Sequence, residues 1–353
     1  MDNGGADDGT VAPTPSRRGY LHTLAGLTGA GALAGCSSDD VDPPEQVDDE
    51  SDEDASPTAT DTASGGGTPE QSTGGTAGAA LGDVIEGDRL ALVAYSAERT
   101  TTVGEYSEAD DGNEFVVVDM AAKNKADSEY INFSSFLQLT VRDSESYEYD
   151  QSFILSDAEL DSGELAPGEV TRGIVAFEVP REASGLTLTV DLDDSLFSYD
   201  SATVDLDRQG SGRTLTQDLA VPVYDLGDTV AYEDTELTVN SVWTSMGSDY
   251  FTPDAGNEFV VIDITVANTG SEELTVSTLL QLSLKSEAGR SYDTSFVGSS
   301  VLDREFSQGT PIQPDSKRRG EIAFEAPRGL SPLYLVMDFD YLAEGDRTFF
   351  ELR

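Results

Sequence analysis

Gly256-Asn257-Glu258-Phe259-Val260-Val261-Ile262-Asp263 is the stretch that decides the fold, and Gly112-Asn113-Glu114-Phe115-Val116-Val117-Val118-Asp119 repeats it almost letter for letter. Glycine and asparagine favour a turn, and the β-branched and aromatic residues after them favour a strand. Side chains in a strand alternate between faces. Across Phe259 to Val266, Phe259, Val261, Asp263 and Thr265 therefore point one way, and Val260, Ile262, Ile264 and Val266 the other. The second set is wholly apolar and fit to line a core. Val116, Val118, Met120 and Ala122 make the same face in the earlier copy.

Matching blocks extend outward from this pair in conserved order. Leu81-Gly82-Asp83 returns as Leu226-Gly227-Asp228, Leu137-Gln138-Leu139 as Leu280-Gln281-Leu282, and Ser152-Phe153 as Ser295-Phe296. Gly173 to Arg181 (GIVAFEVPR) returns as Gly320 to Arg328 (GEIAFEAPR). One domain has been duplicated. The copies are assigned to residues 81–206 and 214–353, with residues 207–213, containing Gly210-Ser211-Gly212, as the linker. Further strands are predicted at Leu137 to Val141, Leu186 to Leu192, Leu280 to Leu284 and Leu333 to Phe339, and no long amphipathic helix is visible. Short strands separated by Gly, Pro and Asp turns predict an all-β chain of two tandem antiparallel β-sandwiches.

The Gly-Asn-Glu-Phe block, its strand ending at Asn124 or Asn268, and the late Ala-Phe-Glu-x-Pro block together resemble domain of unknown function 4352. That resemblance covers nearly all of both copies. It implies an immunoglobulin-like sandwich in secreted or lipid-anchored proteins of bacteria and archaea, and it brings no catalytic residues with it.

The N-terminal region carries an address. Arg17-Arg18, followed by a short, weakly apolar stretch, reads as a twin-arginine export signal. Leu33-Ala34-Gly35-Cys36 resembles a lipoprotein lipobox, which implies cleavage before Cys36 and lipid attachment there. Residues 1–35 are thus assigned to the signal. Tyr20 to Gly35 is too short to span a bilayer, which takes about 20 apolar residues. Residues 36–80 hold Asp, Glu, Ser, Thr, Gly and Pro with little that is apolar, and are expected to form a disordered acidic tether.

Cleavage would remove His22, the only histidine, and lipidation would consume Cys36, the only cysteine. Imidazole catalysis, Ser-His-Asp and Cys-His pairs, His/Cys zinc sites and disulfides would then be excluded. The chain carries 68 acidic and 20 basic residues, a formal net charge of -48, and its only lysines are Lys123, Lys125, Lys285 and Lys317. Acids dominate both copies, as suits a protein of a halophilic archaeon folding in concentrated salt. So negative a chain repels phosphates, so nucleic acid is not an expected partner.

Candidate ligands for calcium are Asp110, Asp111, Asn113 and Glu114, with Asp254, Asn257 and Glu258 in the second copy; calcium takes six to eight such oxygens. The reading adopted is a turn with solvated acids, with no metal or cofactor. The acidic strand ends Asp191, Asp193, Asp194, Asp338 and Asp340 are read the same way. Lys317-Arg318-Arg319 either docks an acidic tether or anionic headgroup, or balances neighbouring acids at a strand start. Trp243, Tyr250 and Phe251 are assigned to a long loop of the second copy, where the first has Glu105-Tyr106. Asn132-Phe133-Ser134 is a glycosylation triplet.

The expected protein is not an enzyme. It is a non-catalytic, lipid-anchored protein at the extracellular face of the cell membrane, binding or scaffolding an unidentified surface protein or small ligand. The alternative is a cation- or solute-binding lipoprotein working with a transporter. An enzymatic reading would need a carboxylate pair in a cleft.

Overall fold

The computed structural model describes residues 76–156, 158–191, 201–248, 250–339 and 347–353. Arg17, Arg18, Leu33 to Cys36, most of the assigned tether, Asp193, Asp194 and Asp340 lie outside the described residues. Each repeat centres on the strand opened by its Gly-Asn turn. Asn113–Asn124 lies between Leu90–Thr100 and Val170–Pro180, antiparallel to both. Asn257–Asn268 lies between Thr235–Ser245 and Ser316–Pro327 in the same way. The facing layer of the first repeat is built from Leu139–Arg142, Thr187–Asp191 and Ser201–Gln209. That of the second comprises Val223–Tyr224, Arg347–Glu351, Leu333–Asp338, Leu282–Ser286 and Ser291–Tyr292. In the first repeat Glu148–Ser152 pairs with both layers and joins them into one nine-stranded sheet.

The predicted apolar face is the core face. Val260, Ile262, Ile264 and Val266 pack with Leu284, Leu335, Phe324 and Phe350, and Val116, Val118, Met120 and Ala122 with Phe133, Val141, Phe177 and Leu188. The opposite face is covered as well, which alternation does not reveal: Phe259, Val261 and Asp263 are all buried. The segment after Tyr292 reaches that face through Arg304, which pairs with Asp263 at 3.8 Å, while Phe306 turns into the core and its N–H donates to the Glu321 carbonyl at 2.9 Å. Gly320 permits the approach, because a Cβ there would fall 2.5 Å from the Phe306 Cα. Gly173 is matched in the same role, with a Cβ position 2.4 Å from the Leu160 Cα. This close packing gives the repeated glycine of the late block its physical reason.

Four expectations need correction. Residues 137–138 and 280–281 are not strand but the ends of one-turn helices, Ser135–Gln138 and Thr278–Gln281. The glutamine carbonyl oxygens accept the Ser134 N–H at 3.2 Å and the Ser277 N–H at 2.8 Å, holding each turn closed. Residues 76–80, assigned to the tether, form most of the strand Thr76–Leu81, parallel to Ser201–Gln209. The segment between the repeats does not coincide with 207–213. Residues 207–209 complete a strand, and Gly210, Ser211 and Arg213 donate backbone hydrogen bonds to Leu81 O, Asp83 Oδ1 and Gly82 O at 2.7–2.9 Å. Leu215 then packs against Val84, Ala91 and Val93, and strand pairing in the second repeat starts only at Val223. Finally, Trp243 lies within the strand Thr235–Ser245, opposite Val261, rather than in a loop.

Candidate functional site

The repeated Gly-Asn block forms a matched pair of turns. Gly112 and Gly256 adopt φ of +93° and +98°, open to glycine at no steric cost. The Asn113 and Asn257 N–H groups donate to the Asp110 and Asp254 carbonyls at 2.9 and 3.0 Å. One carboxylate oxygen then gathers each turn. Glu178 Oε1 accepts the Asp110 N–H and the Asn113 amide at 2.8 and 2.9 Å, and Glu325 Oε1 accepts the Asp254 N–H and the Asn257 amide at 2.7 and 3.0 Å. The glutamate of the late Ala-Phe-Glu block thus fastens the turn of the early block.

The proposed oxygen ligands separate accordingly. Glu114 pairs with Arg99 at 2.6 Å, and Glu258 with Arg353 at 2.7 Å. Burial pushes the Glu258 carboxyl up, but the Gly329 N–H and the Arg353 guanidinium outweigh it and leave it below its ordinary value. Asp110, Asp111 and Asp254 are exposed on the turns. Among the described residues no three or more His, Cys, Asp or Glu side chains converge at metal-ligand spacing. Calcium added at constant ionic strength is therefore expected to leave the melting temperature where sodium leaves it. A calcium-specific rise would restore the site.

The side chains that do converge join the two repeats, which belong to one compact unit. Glu169 closes the turn Ala166 to Glu169, its N–H donating to the Ala166 carbonyl while its Oε2 accepts the Ala166 N–H at 2.8 Å. Its carboxylate is wholly buried. Lys285 from the second repeat, itself 1% exposed, donates to Oε1, and Arg347 reaches Oε2 at 3.0 Å. Arg347 also pairs with Asp338 at 3.1 Å. Burial pushes the Glu169 carboxyl up, yet the Arg347 and Lys285 charges hold it below its ordinary value. Burial likewise pulls the Arg347 guanidinium down, and the Glu169 and Asp338 charges carry it above its usual range.

A second cluster lies alongside. Asp119 accepts from Arg172 of its own repeat at 2.8 Å and from Arg290 of the other at 2.9 Å. The Arg172 guanidinium also stacks 4.0 Å above the Tyr95 ring. The matching Asp263 is held by Arg319 and Arg304, both from its own repeat. The second arginine of Asp119 is thus supplied across the interface. Backbone bonds from Arg172 N to Gly289 O at 2.9 Å and from Gln217 N to Glu287 O at 2.8 Å run beside it. Ala166, Val336 and Phe349 form an apolar floor with Leu219 and Val221.

Three of the scarce bases, Lys285, Arg290 and Arg347, therefore sit on acids of the other repeat. Desolvation of such charges offsets much of their attraction, so the intact cluster adds less net stability than breaking it would cost. Sequence reasoning missed it. Lys285 alternates with the core residues Leu282 and Leu284 and so reads as solvated, and the matching Arg142 is indeed exposed, beside Glu148.

The basic run 317–319 is largely committed within its own repeat. Arg319 binds Asp263, Arg318 donates to the Ser307 and Pro311 carbonyls at 2.8 and 3.2 Å, and Lys317 is exposed. Large apolar side chains stand out elsewhere. Tyr250 is 89% exposed, with Met246 and Phe251 also exposed on the same hairpin. Phe153 and Phe296, at matching positions, are 74% and 77% exposed, and the matched Leu137 and Leu280 are exposed too.

Residues 79–202 and 224–347 each match the model of a domain of unknown function, DUF4352. The chain belongs to the DUF4352 family. A search of curated proteins gave no match. Among solved structures, an uncharacterized β-sandwich protein of Clostridium difficile is 16% identical, over 37% of this chain and 95% of its own, with a TM-score of 0.28. The yjhA protein of Bacillus subtilis is also 16% identical, over 37% of this chain and 100% of its own, at 0.29. The secreted protein MPT63 of Mycobacterium tuberculosis is 10% identical, over 37% and 97%, at 0.30. Among the described residues of this DUF4352 chain, no helix is long and apolar enough to cross a membrane.

Proposed function

We propose that this DUF4352 chain is a non-catalytic, lipid-anchored surface protein whose two sandwiches, held in one orientation, bind or scaffold a partner at the outer face of the membrane. The observation that carries this reading is the exposure of matched apolar side chains, Phe153 with Phe296 and Leu137 with Leu280, on both repeats. Large apolar side chains exposed at the same positions of both copies are the surface this reading assigns to a partner. The interface cluster supports the reading, since fixed sandwiches present both copies of that feature at a constant spacing. Cys36 supplies the anchor in this account, and the acidic segment after it the reach.

The test is photo-crosslinking on intact cells, with a benzophenone side chain placed at Phe153 or at Phe296 and, as control, at the exposed Glu182. The same discrete adduct is expected from both aromatic positions and not from the control. Fractionation in the same strain is expected to find wild type with the membranes and Cys36→Ala in the medium. Equal crosslinking at all three positions, or equal partition of the two proteins, would contradict the reading.

A further inference from the structure

We propose that Asn132 carries an N-linked glycan. The acceptor triplet Asn132-Phe133-Ser134 lies on the strand Ile131–Phe133. Ile131 and Phe133 are 3% and 1% exposed, so alternation turns Asn132 outward, and it is exposed. An Asn-x-Ser triplet needs that arrangement, because the product is bulky and belongs on a surface. The strand pairs only with Gly163–Leu165, in a two-stranded sheet outside the main layers. Its inward side chains Ile131 and Phe133 are anchored in the core, which holds Asn132 at a fixed place on the surface.

The second repeat supplies an internal comparison. Leu274 bridges Ile312 as Ile131 pairs with Leu165, so Thr275 occupies the place of Asn132, and it is exposed. Val276 and Ser277 follow it, so this repeat has the geometry and the hydroxyl but lacks the acceptor amide. Beside Asn132, the exposed Leu137 lines the same recess as Ser134 and Gln138. A sugar there would cover apolar surface on the repeat that carries it.

The inference rests on the export reading above, since the donor is a glycan activated as a lipid-linked phosphate ester at the membrane. The Asn132 amide nitrogen attacks the anomeric carbon. The new C–N bond replaces the C–O bond to phosphate, the lipid phosphate leaves with that electron pair, and the amide gives up one proton. Nothing is oxidised or reduced.

The experiment is mass spectrometry of the full-length protein taken from the membranes of its native cells. Trypsin releases residues 126–142, between Lys125 and Arg142, containing Asn132 and no other asparagine. This peptide is expected to gain mass in whole sugar increments. Asn132→Gln and Ser134→Ala are each expected to abolish the gain, and Ser134→Thr to keep it. Thr275→Asn is expected to add a second glycan at the matched place. A bare peptide from protein whose N-terminus is lipidated Cys36 overturns the glycan and leaves the export reading standing. A bare peptide from protein that retains residues 1–35 overturns both.

Discussion

Glu169→Gln is expected to weaken the union of the two sandwiches by about 3–5 kcal/mol, the cost of leaving buried charges without their counter-ion. Lys285 and Arg347 would face a neutral amide in a site from which water is excluded, with Asp338 remaining beside Arg347 alone. Lys285→Met is expected to cost less, because Arg347 still neutralises the carboxylate. Combining the two should recover part of the loss, since a buried pair replaced by neutral groups is often close to neutral overall. Thermal unfolding of the four proteins in the same concentrated salt completes the cycle, and additive losses would show that the two side chains do not interact. The pH dependence has a definite sign. The folded Glu169 carboxyl lies below its unfolded value. Its contribution is therefore full above the unfolded value of about 4.3 and is lost as pH falls through the lower folded value. Glu169→Gln should flatten that acid limb.

Dilution of salt is expected to have the larger effect, removal of the native state altogether. With a formal charge of -48, most carboxylates have no base to face. Screening length falls from about 30 Å at 0.01 M to about 3 Å at 1 M, so repulsion across a sandwich is strong in dilute buffer and nearly absent in molar salt. The buried cluster is screened much less than the surface, so salt relieves the repulsion without dissolving the interface. Near-UV circular dichroism and melting over a potassium chloride series should show tertiary structure disappearing below a fraction of molar. A cooperative, fully folded protein in salt-free buffer would contradict this and, with it, the expectation of a halophilic origin.

The architecture was legible where local chemistry dictates it. Alternation in Phe259 to Val266 named the core residues correctly, because a strand's period of two is a property of the backbone. The Gly-Asn turn was legible because glycine takes the positive φ that the turn requires. Alternation misled at Leu137-Gln138-Leu139, where the pattern of a strand is made by a helical turn whose glutamine caps it. The buried outer face escaped notice because Asp263 looks solvated until Arg304, from a distant segment, reaches it. The interface was the least visible feature. Glu169, Arg290 and Arg347 are ordinary surface residues in sequence, and only tertiary packing brings them onto one another. Lysine scarcity was a hint at Lys285, though scarcity does not name a partner.

The most direct test of the central claim, that a buried charge cluster makes two sandwiches one body, is the distance between spin labels on the two repeats. Cys36 is the only cysteine, so with Cys36→Ser in the background labels attach only at introduced sites. Glu182→Cys and Ser271→Cys place them at exposed positions of the first and second repeat. Double electron–electron resonance in molar salt should give a single narrow distance distribution that broadens in Glu169→Gln. A broad distribution in the otherwise native protein would mean that the sandwiches swing independently, and the cluster does not hold them.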